Sequence, residues 1–187
     1  MREYLLGNAA IAKGLLEAGI GLAAGYPGTP SSEIIEGLVE LKGDLPLHIE
    51  WSVNEKVALE VAAGASWTGC RSVATMKHVG LNVAADPFMT LAYLGVGAGL
   101  LVICADDPFC HSSQNEQDSR RFAQFASIPC LDPADPQEAR DMAIYGLELS
   151  EKFNIPVMLR PTTRVSHARA DVEVSQDRPI PVERRFV

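Results

Sequence analysis

Glu55 stands directly after Asn54, where a short apolar run, Leu47 to Trp51, gives way to a stretch rich in Ala and Val. Asn54 is a good N-cap, which puts Glu55 in the first turn of a predicted helix. A carboxylate there either offsets the helix dipole or works as an acid/base. Three other stretches carry residue types able to bind a ligand or move a proton: Tyr26-Pro-Gly-Thr-Pro30, Lys77-His-Val-Gly80 and the long polar segment from Asp106 to Arg121. Each also has a bland reading, as a rigid turn, a solvated pair and a surface loop longer than the usual connection. All four follow predicted strands, and that shared placement favours a site more than any one of them does.

The elements that must position these loops alternate along the chain. Asn8 to Ala18 reads as a helix closing at Gly19, and Ile20 to Gly25 as a buried strand. Ser31-Ser32-Glu33 is expected to cap a helix running to about Lys42. The Leu47 strand and the Glu55 helix come next. Arg71 to Met76 is the following strand, with Lys77 to Gly80 as its exit loop. Asn82 to Leu94 reads as a helix that Pro87 could restart at a first turn. Leu100 to Ala105 is a strand, Asp106 to Gln117 a polar loop, and Asp118 to Ala126 a short helix. A brief strand follows at Ile128 to Leu131, then a helix capped by Asp135 that runs to Phe153, then a strand at Pro156 to Leu159. Strands separated by helices predict an α/β fold. The expected architecture is a three-layer, doubly wound sheet of about six parallel strands. In such sheets ligands bind outside the carboxyl ends of the strands. After Ala170 the composition turns polar and Pro-rich. Residues 1–170 are therefore expected to form one domain, and 171–187 a linker or tail leading to a continuation.

Composition narrows the function classes. Sixteen basic against 24 acidic residues give a net charge of −8, so no basic surplus is available to neutralise nucleic-acid or anionic-membrane phosphates. Met1-Arg-Glu-Tyr is expected to lead straight into a helix rather than into a signal peptide. The longest apolar run, Leu91 to Ala105, is interrupted by Gly95, Gly97 and Gly99. A cytoplasmic protein is expected. Cys70, Cys104, Cys110 and Cys130 have no C-x-x-C spacing, so they read as free thiols and no metal site is expected. Gly95-Val-Gly-Ala-Gly99 lacks dinucleotide-fingerprint spacing and precedes a strand instead of following one. There is no P-loop and no G-x-S-x-G elbow.

Five stretches together resemble a known family. They are Tyr26-Pro-Gly-Thr-Pro-Ser-Ser-Glu33, Asn54-Glu-Lys-Val-Ala58 with Gly64-Ala-Ser66, Met76-Lys-His-Val-Gly-Leu-Asn82, His111-Ser-Ser-Gln-Asn-Glu-Gln-Asp118 and Leu159-Arg-Pro-Thr-Thr-Arg-Val-Ser-His167. Over residues 4 to 170 the chain resembles the pyrimidine-binding domain of thiamine-diphosphate enzymes. It looks most like the amino-terminal domain of the indolepyruvate:ferredoxin oxidoreductase alpha subunit, in the 2-oxoacid:ferredoxin oxidoreductase family. The Glu55 segment alone is generic to the wider superfamily.

The resemblance implies oxidative decarboxylation of an arylpyruvate to an aryl-acetyl-CoA, with coenzyme A as co-substrate and ferredoxin as acceptor. Glu55 matches the glutamate that hydrogen-bonds N1′ of the aminopyrimidine and promotes loss of the C2 proton. Pro27 matches a cofactor contact. Thr29, Lys77, His78 and Arg120 match positions facing the substrate, and Arg120 suits a carboxylate because its guanidinium binds one as a fork. The Gly-Asp-Gly motif that holds the diphosphate through magnesium, and the cysteines of the iron–sulfur clusters, do not occur in these 187 residues. Thiamine diphosphate is therefore expected to be shared with a diphosphate-binding domain, in a homo- or hetero-oligomer that includes a beta subunit. Magnesium and clusters would belong to that other part. Two alternatives have the same fold: the alpha subunit of a non-oxidative decarboxylase, such as sulfopyruvate decarboxylase, and a non-catalytic scaffold domain.

Overall fold

The computed structural model describes residues 1–175. Six strands form one parallel sheet: β2 (Leu22–Gly25), β3 (His48–Trp51), β4 (Ser72–Lys77), β5 (Leu100–Ala105), β6 (Cys130–Leu131) and β7 (Val157–Leu159). Their order across the sheet is β3-β2-β4-β5-β7-β6. From β2 the chain steps outward to β3, then crosses back over β2 to β4. The order reverses there, so the crevice between the carboxyl ends of β2 and β4 is the topological switch point.

The expected three-layer α/β architecture is present. Helices α1 (Gly7–Glu17), α2 (Ser32–Leu41) and α7 (Pro136–Phe153) cover one face of the sheet. Helices α3 (Glu55–Trp67), α4 (His78–Val83), α5 (Ala85–Leu94) and α6 (Arg120–Ala126) cover the other. Side chains of β5 alternate between the layers, as strand geometry requires. Leu101 and Ile103 enter the α1/α2/α7 core, while Leu100, Val102 and Cys104 enter the opposite one. A strand buried on both faces has no polar alternation to offer, which is why β5 reads as a continuous apolar run.

Several local expectations are corrected. Met1-Arg-Glu-Tyr does not open a helix. Arg2–Leu6 is a strand, β1, paired antiparallel with β8 (Arg169–Glu173) in a separate two-stranded sheet. β8 runs through residues 171–173, so the expected linker begins too early; its remainder from 176 onward lies outside the described residues. Ser31 does not cap α2 with its side chain; its hydroxyl donates to Gly28 O at 2.8 Å. Lys77 to Gly80 is not an exit loop, because α4 starts at His78 with Lys77 as its N-cap. The helix expected over Asn82 to Leu94 is two helices meeting at Ala84, and Pro87 sits in the first turn of α5, where its missing N–H is harmless. Asn54 and Asp135 do cap their helices, accepting from the Val57 and Glu138 amides at 2.9 Å each.

α1 lies against α7 at backbone contact distance. A Cβ on Gly14 would sit 2.5 Å from the carbonyl oxygen of Arg140. Gly14→Ala should therefore destabilise the chain by about 1–3 kcal/mol, the usual cost of overpacking. Urea unfolding reads this directly, and an unchanged midpoint would contradict so close an approach.

Candidate functional site

The side chains expected to do chemistry gather at the carboxyl edge of the sheet, around the switch point. Glu55 is the first residue of α3, only 8% exposed. Asn54 takes up the amide of Val57, so the helix N-terminus is capped without help from Glu55. Among the described residues no protein hydrogen bond reaches the Glu55 carboxyl. Its neighbour is Gly80 in α4, where an added Cβ would lie within 2.6 Å of Glu55 Cγ and 2.7 Å of Cδ. The carboxyl is thus seated against bare backbone, and without a protein partner among the described residues it is free to take one from outside the domain.

The turn after β2 carries Pro27 and Thr29, with a cis peptide between Thr29 and Pro30. It is held from within by Gly28, whose amide donates to Ser32 Oγ at 2.8 Å and whose carbonyl accepts from the Ser31 and Ser32 amides. From outside it is held by Asn8 in α1, whose buried amide donates to Pro30 O at 2.7 Å. The Lys77 side chain runs across this turn. A Cβ on Gly28 would meet Lys77 Cδ at 2.8 Å. Lys77 Nζ ends on the carbonyl of Ser112 at 2.7 Å and, among the described residues, has no carboxylate partner.

The long segment after β5 is expected as a polar loop, and it is tightly held. Asp107 Oδ2 accepts from the Ser112 amide at 2.7 Å and the Ser113 hydroxyl at 2.8 Å, while Oδ1 accepts from the Thr163 hydroxyl at 2.8 Å. Burial pushes the Asp107 carboxyl up, but these hydrogen bonds outweigh it and lower its pKa to about 2. The loop then clamps α4. His78 Nε2 lies 3.0 Å from Asn115 O, and Gln117 Nε2 donates to His78 O at 3.1 Å. His78 is fully buried, and among the described residues its Nδ1 has no partner. A carbonyl only accepts, so Nε2 carries a proton in this contact.

Arg120 is placed differently from Lys77. It is half-exposed and already forked onto Asp118, with Nε at 2.8 Å and Nη2 at 3.0 Å, and Nη1 reaches Asp132 at 3.1 Å. Beside it lies an ion pair that sequence reasoning passed over. Arg160, at the end of β7, donates from Nε to the fully buried Asp106 at 2.7 Å and approaches Asp132 at 3.3 Å. Burial opposes the Arg160 charge, but Asp106 and then Asp132 outweigh it, so its pKa is raised. Gly80, Gly28 and Asp107 were also missed as site residues. Gly80 and Arg160 stand inside the quoted stretches, and Asp106-Asp107 directly follows the most buried strand, a place where charge needs a reason.

Comparison with known proteins identifies the family and the fold. The family model described as pyruvate flavodoxin/ferredoxin oxidoreductase, thiamine diphosphate-binding, matches residues 13–187. The chain is 54% identical over 175 residues to the indolepyruvate oxidoreductase subunit IorA of Pyrococcus abyssi, covering 94% of this chain and 27% of that protein. It is 52% identical over 185 residues to the subunit of the same name from Methanothermobacter marburgensis, covering 99% and 30%. The 2-oxoglutarate synthase subunit KorA of Methanothermobacter thermautotrophicus is 28% identical over 182 residues, with 92% and 48% covered. Among solved structures, 2-oxoglutarate:ferredoxin oxidoreductase from Magnetococcus marinus superposes with a TM-score of 0.81 at 19% identity, over 100% of this chain and 33% of that one, which shows a shared fold.

The Asp107 contacts give the loop a pH signature. Its carboxyl has a folded pKa of about 2 against roughly 3.9 when unfolded, so its contribution is complete above about pH 4 and is lost as pH falls towards 2. The contribution is on the order of 2 kcal/mol. The stability difference between wild type and Asp107→Asn, followed by denaturant titration from pH 6 downwards, should shrink through that window. A pH-independent difference would show that ionisation of Asp107 is not what anchors the loop.

Proposed function

We propose, for a chain that belongs to the pyruvate flavodoxin/ferredoxin oxidoreductase thiamine-diphosphate-binding family, that it forms the pyrimidine-binding half of an enzyme oxidatively decarboxylating arylpyruvates to aryl-acetyl-CoA with ferredoxin as acceptor. The observation that carries this reading is Glu55, a buried residue whose carboxyl has no protein hydrogen bond among the described residues and is seated on Gly80 at the switch point. That arrangement suits a planar, nitrogen-bearing ring entering from the open edge. The aryl substrate class rests on the 52–54% identity to the two indolepyruvate oxidoreductase subunits, against 28% to the 2-oxoglutarate synthase subunit.

Thiamine diphosphate, when bound, supplies the carbanion chemistry that breaks the bond between the carboxyl and carbonyl carbons of a 2-oxoacid. Glu55 would share a proton with N1′ of its pyrimidine. Pro27 would pack against the cofactor from the β2 turn, with Thr29 beside it. Lys77 is the cation best placed for the substrate carboxylate, since its ammonium has no carboxylate partner among the described residues and its stem crosses the same turn. His78, buried under the loop, would hold Lys77 and Gly80 in register. Arg120 remains a second candidate, but to bind substrate it must release a carboxylate it already forks. The chain spans 27% and 30% of the two indolepyruvate oxidoreductase subunits it matches. We assign the diphosphate-binding domain, magnesium and the iron–sulfur clusters to the remainder of such an assembly. Coenzyme A, ferredoxin and a beta subunit complete the reading. No helix among the described residues is long and apolar enough to cross a membrane, and a cytoplasmic setting is part of the proposal.

Two measurements on the full-length protein with its partner subunit test this. Glu55→Gln should leave the melting temperature unchanged while slowing C2–H exchange of bound cofactor by about 10²–10⁴-fold, the usual weight of one acid–base role. Exchange at the wild-type rate would reduce Glu55 to a helix-dipole residue. Separately, Lys77→Met should raise KM for the 2-oxoacid by about tenfold or more, the scale of a lost charge-assisted hydrogen bond, with cofactor affinity retained. Arg120→Lys should change it less; the reverse ranking would return the carboxylate to Arg120.

A further inference from the structure

Phe109 stands out in the loop that follows β5. It is 83% exposed, although it belongs to a loop whose anchors are buried. Its backbone is left-handed, with φ 67°, and the next residue, Cys110, is left-handed too, with φ 52°. Neither is glycine, and a bulky aromatic side chain is an outlier in that region. The conformation is enforced by polar contacts. The Glu116 carboxylate accepts the Phe109 amide, and Asp107 O accepts the Cys110 amide at 3.1 Å. The Asp107 carboxylate accepts the Ser112 amide at 2.7 Å. Several hydrogen bonds thus hold an uncommon backbone shape whose visible result is an aromatic ring presented to solvent. Strain retained against its cost, at the rim of a site, points to a use for what is displayed.

The Phe109 ring lies tilted beside that of His111, with centroids 6.3 Å apart, and the other end of the loop leads to the site. Three residues on, Ser112 O receives the Lys77 ammonium at 2.7 Å. Three residues of chain span at most roughly 10 Å, so the backbone that carries the ring lies within that reach of the carbonyl holding a cation that has no carboxylate among the described residues. A ligand with a carboxylate at one end and a flat apolar group at the other matches that pair. We infer that Phe109 is a specificity-determining residue, forming one wall for the aryl group of the 2-oxoacid whose carboxylate meets Lys77. This rests on the reading of the chain as half of an arylpyruvate enzyme, and it adds the residue that makes the enzyme choose an aromatic substrate.

The test uses the full-length protein with its partner subunit. It compares kcat/KM for indolepyruvate with that for an aliphatic 2-oxoacid, 4-methyl-2-oxopentanoate. Phe109→Gly relieves the backbone strain, so it should raise the melting temperature while lowering the aryl-over-aliphatic preference about three- to tenfold, the scale of one aromatic contact. Phe109→Leu should lower the preference similarly without the gain in stability, and Phe109→Tyr should preserve it. The loss should appear in KM and kcat/KM for indolepyruvate, with aliphatic turnover and C2–H exchange unchanged. If the preference persists in both Gly and Leu variants, Phe109 is not the aryl wall, although the arylpyruvate reading stands. If both substrates decline equally, the ring serves the loop and not selection, and the inference is also overturned. If the wild type shows no preference for indolepyruvate, the underlying reading fails and takes this inference with it.

Discussion

The buried pair of Asp106 and Arg160 is the constraint on which the site's far side depends. Asp106 is fully buried at the end of β5, and one of its carboxylate oxygens takes both the Arg160 guanidinium at 2.7 Å and the Ser119 amide at 3.0 Å. Its backbone pairs with β7's extension as well, accepting from the Thr163 amide and donating to Pro161 O, each at 2.9 Å. One residue thus fixes the end of β5, the end of β7 and the start of α6. Removing water from two charges costs several kcal/mol, and attraction between them repays it only with good geometry and further hydrogen bonds. Those conditions are met here. The pair's value is positional: an apolar replacement could fill the volume but could not hold three elements in one register.

From Asp106 the order passes to its neighbour Asp107 and along the loop to the switch point. Asp107 gathers Ser112, Ser113 and Thr163. Ser112 meets Lys77, and Asn115 and Gln117 meet His78. Gly28 lies beneath Lys77, and Gly80, two residues beyond His78, lies against Glu55. The groups proposed to face a ligand come from four strand exits, so each is positioned by contacts with another exit rather than by its own element alone. Both glycines serve by lacking a side chain where another side chain must pass.

The structure also separates two cations that look equivalent in sequence. Arg120 and Lys77 both follow strands and both could meet a carboxylate. Arg120 lies among Asp118, Asp132 and the Arg160 pair, where its charge is already balanced. Lys77 has a carbonyl for company and no carboxylate among the described residues. A ligand carboxylate gains more from the second than from the first, because an exposed paired guanidinium gives up one partner to gain another.

Local signals carried the fold class, and for definite reasons. The alternation of apolar runs with amphipathic helices, the Asn54 and Asp135 caps and the glycine at Gly19 act within a few residues, so they can be read without a partner. They placed Glu55 at a helix start behind a strand, and hence the edge at which a site would form. Three features were decided only by tertiary structure. β1 is a strand because β8 pairs with it from the other end of the chain, an association that residues 2–6 cannot announce. Arg160 reads as one more arginine until β5 and β7 lie side by side and bury it against Asp106. Gly80 reads as an ordinary small residue until α4 packs on α3 and sets it against the Glu55 carboxyl. Hydrogen-bond partners, burial and close approach are properties of pairs. A sequence determines which residues are available for them, and only the folded arrangement decides which pairs exist.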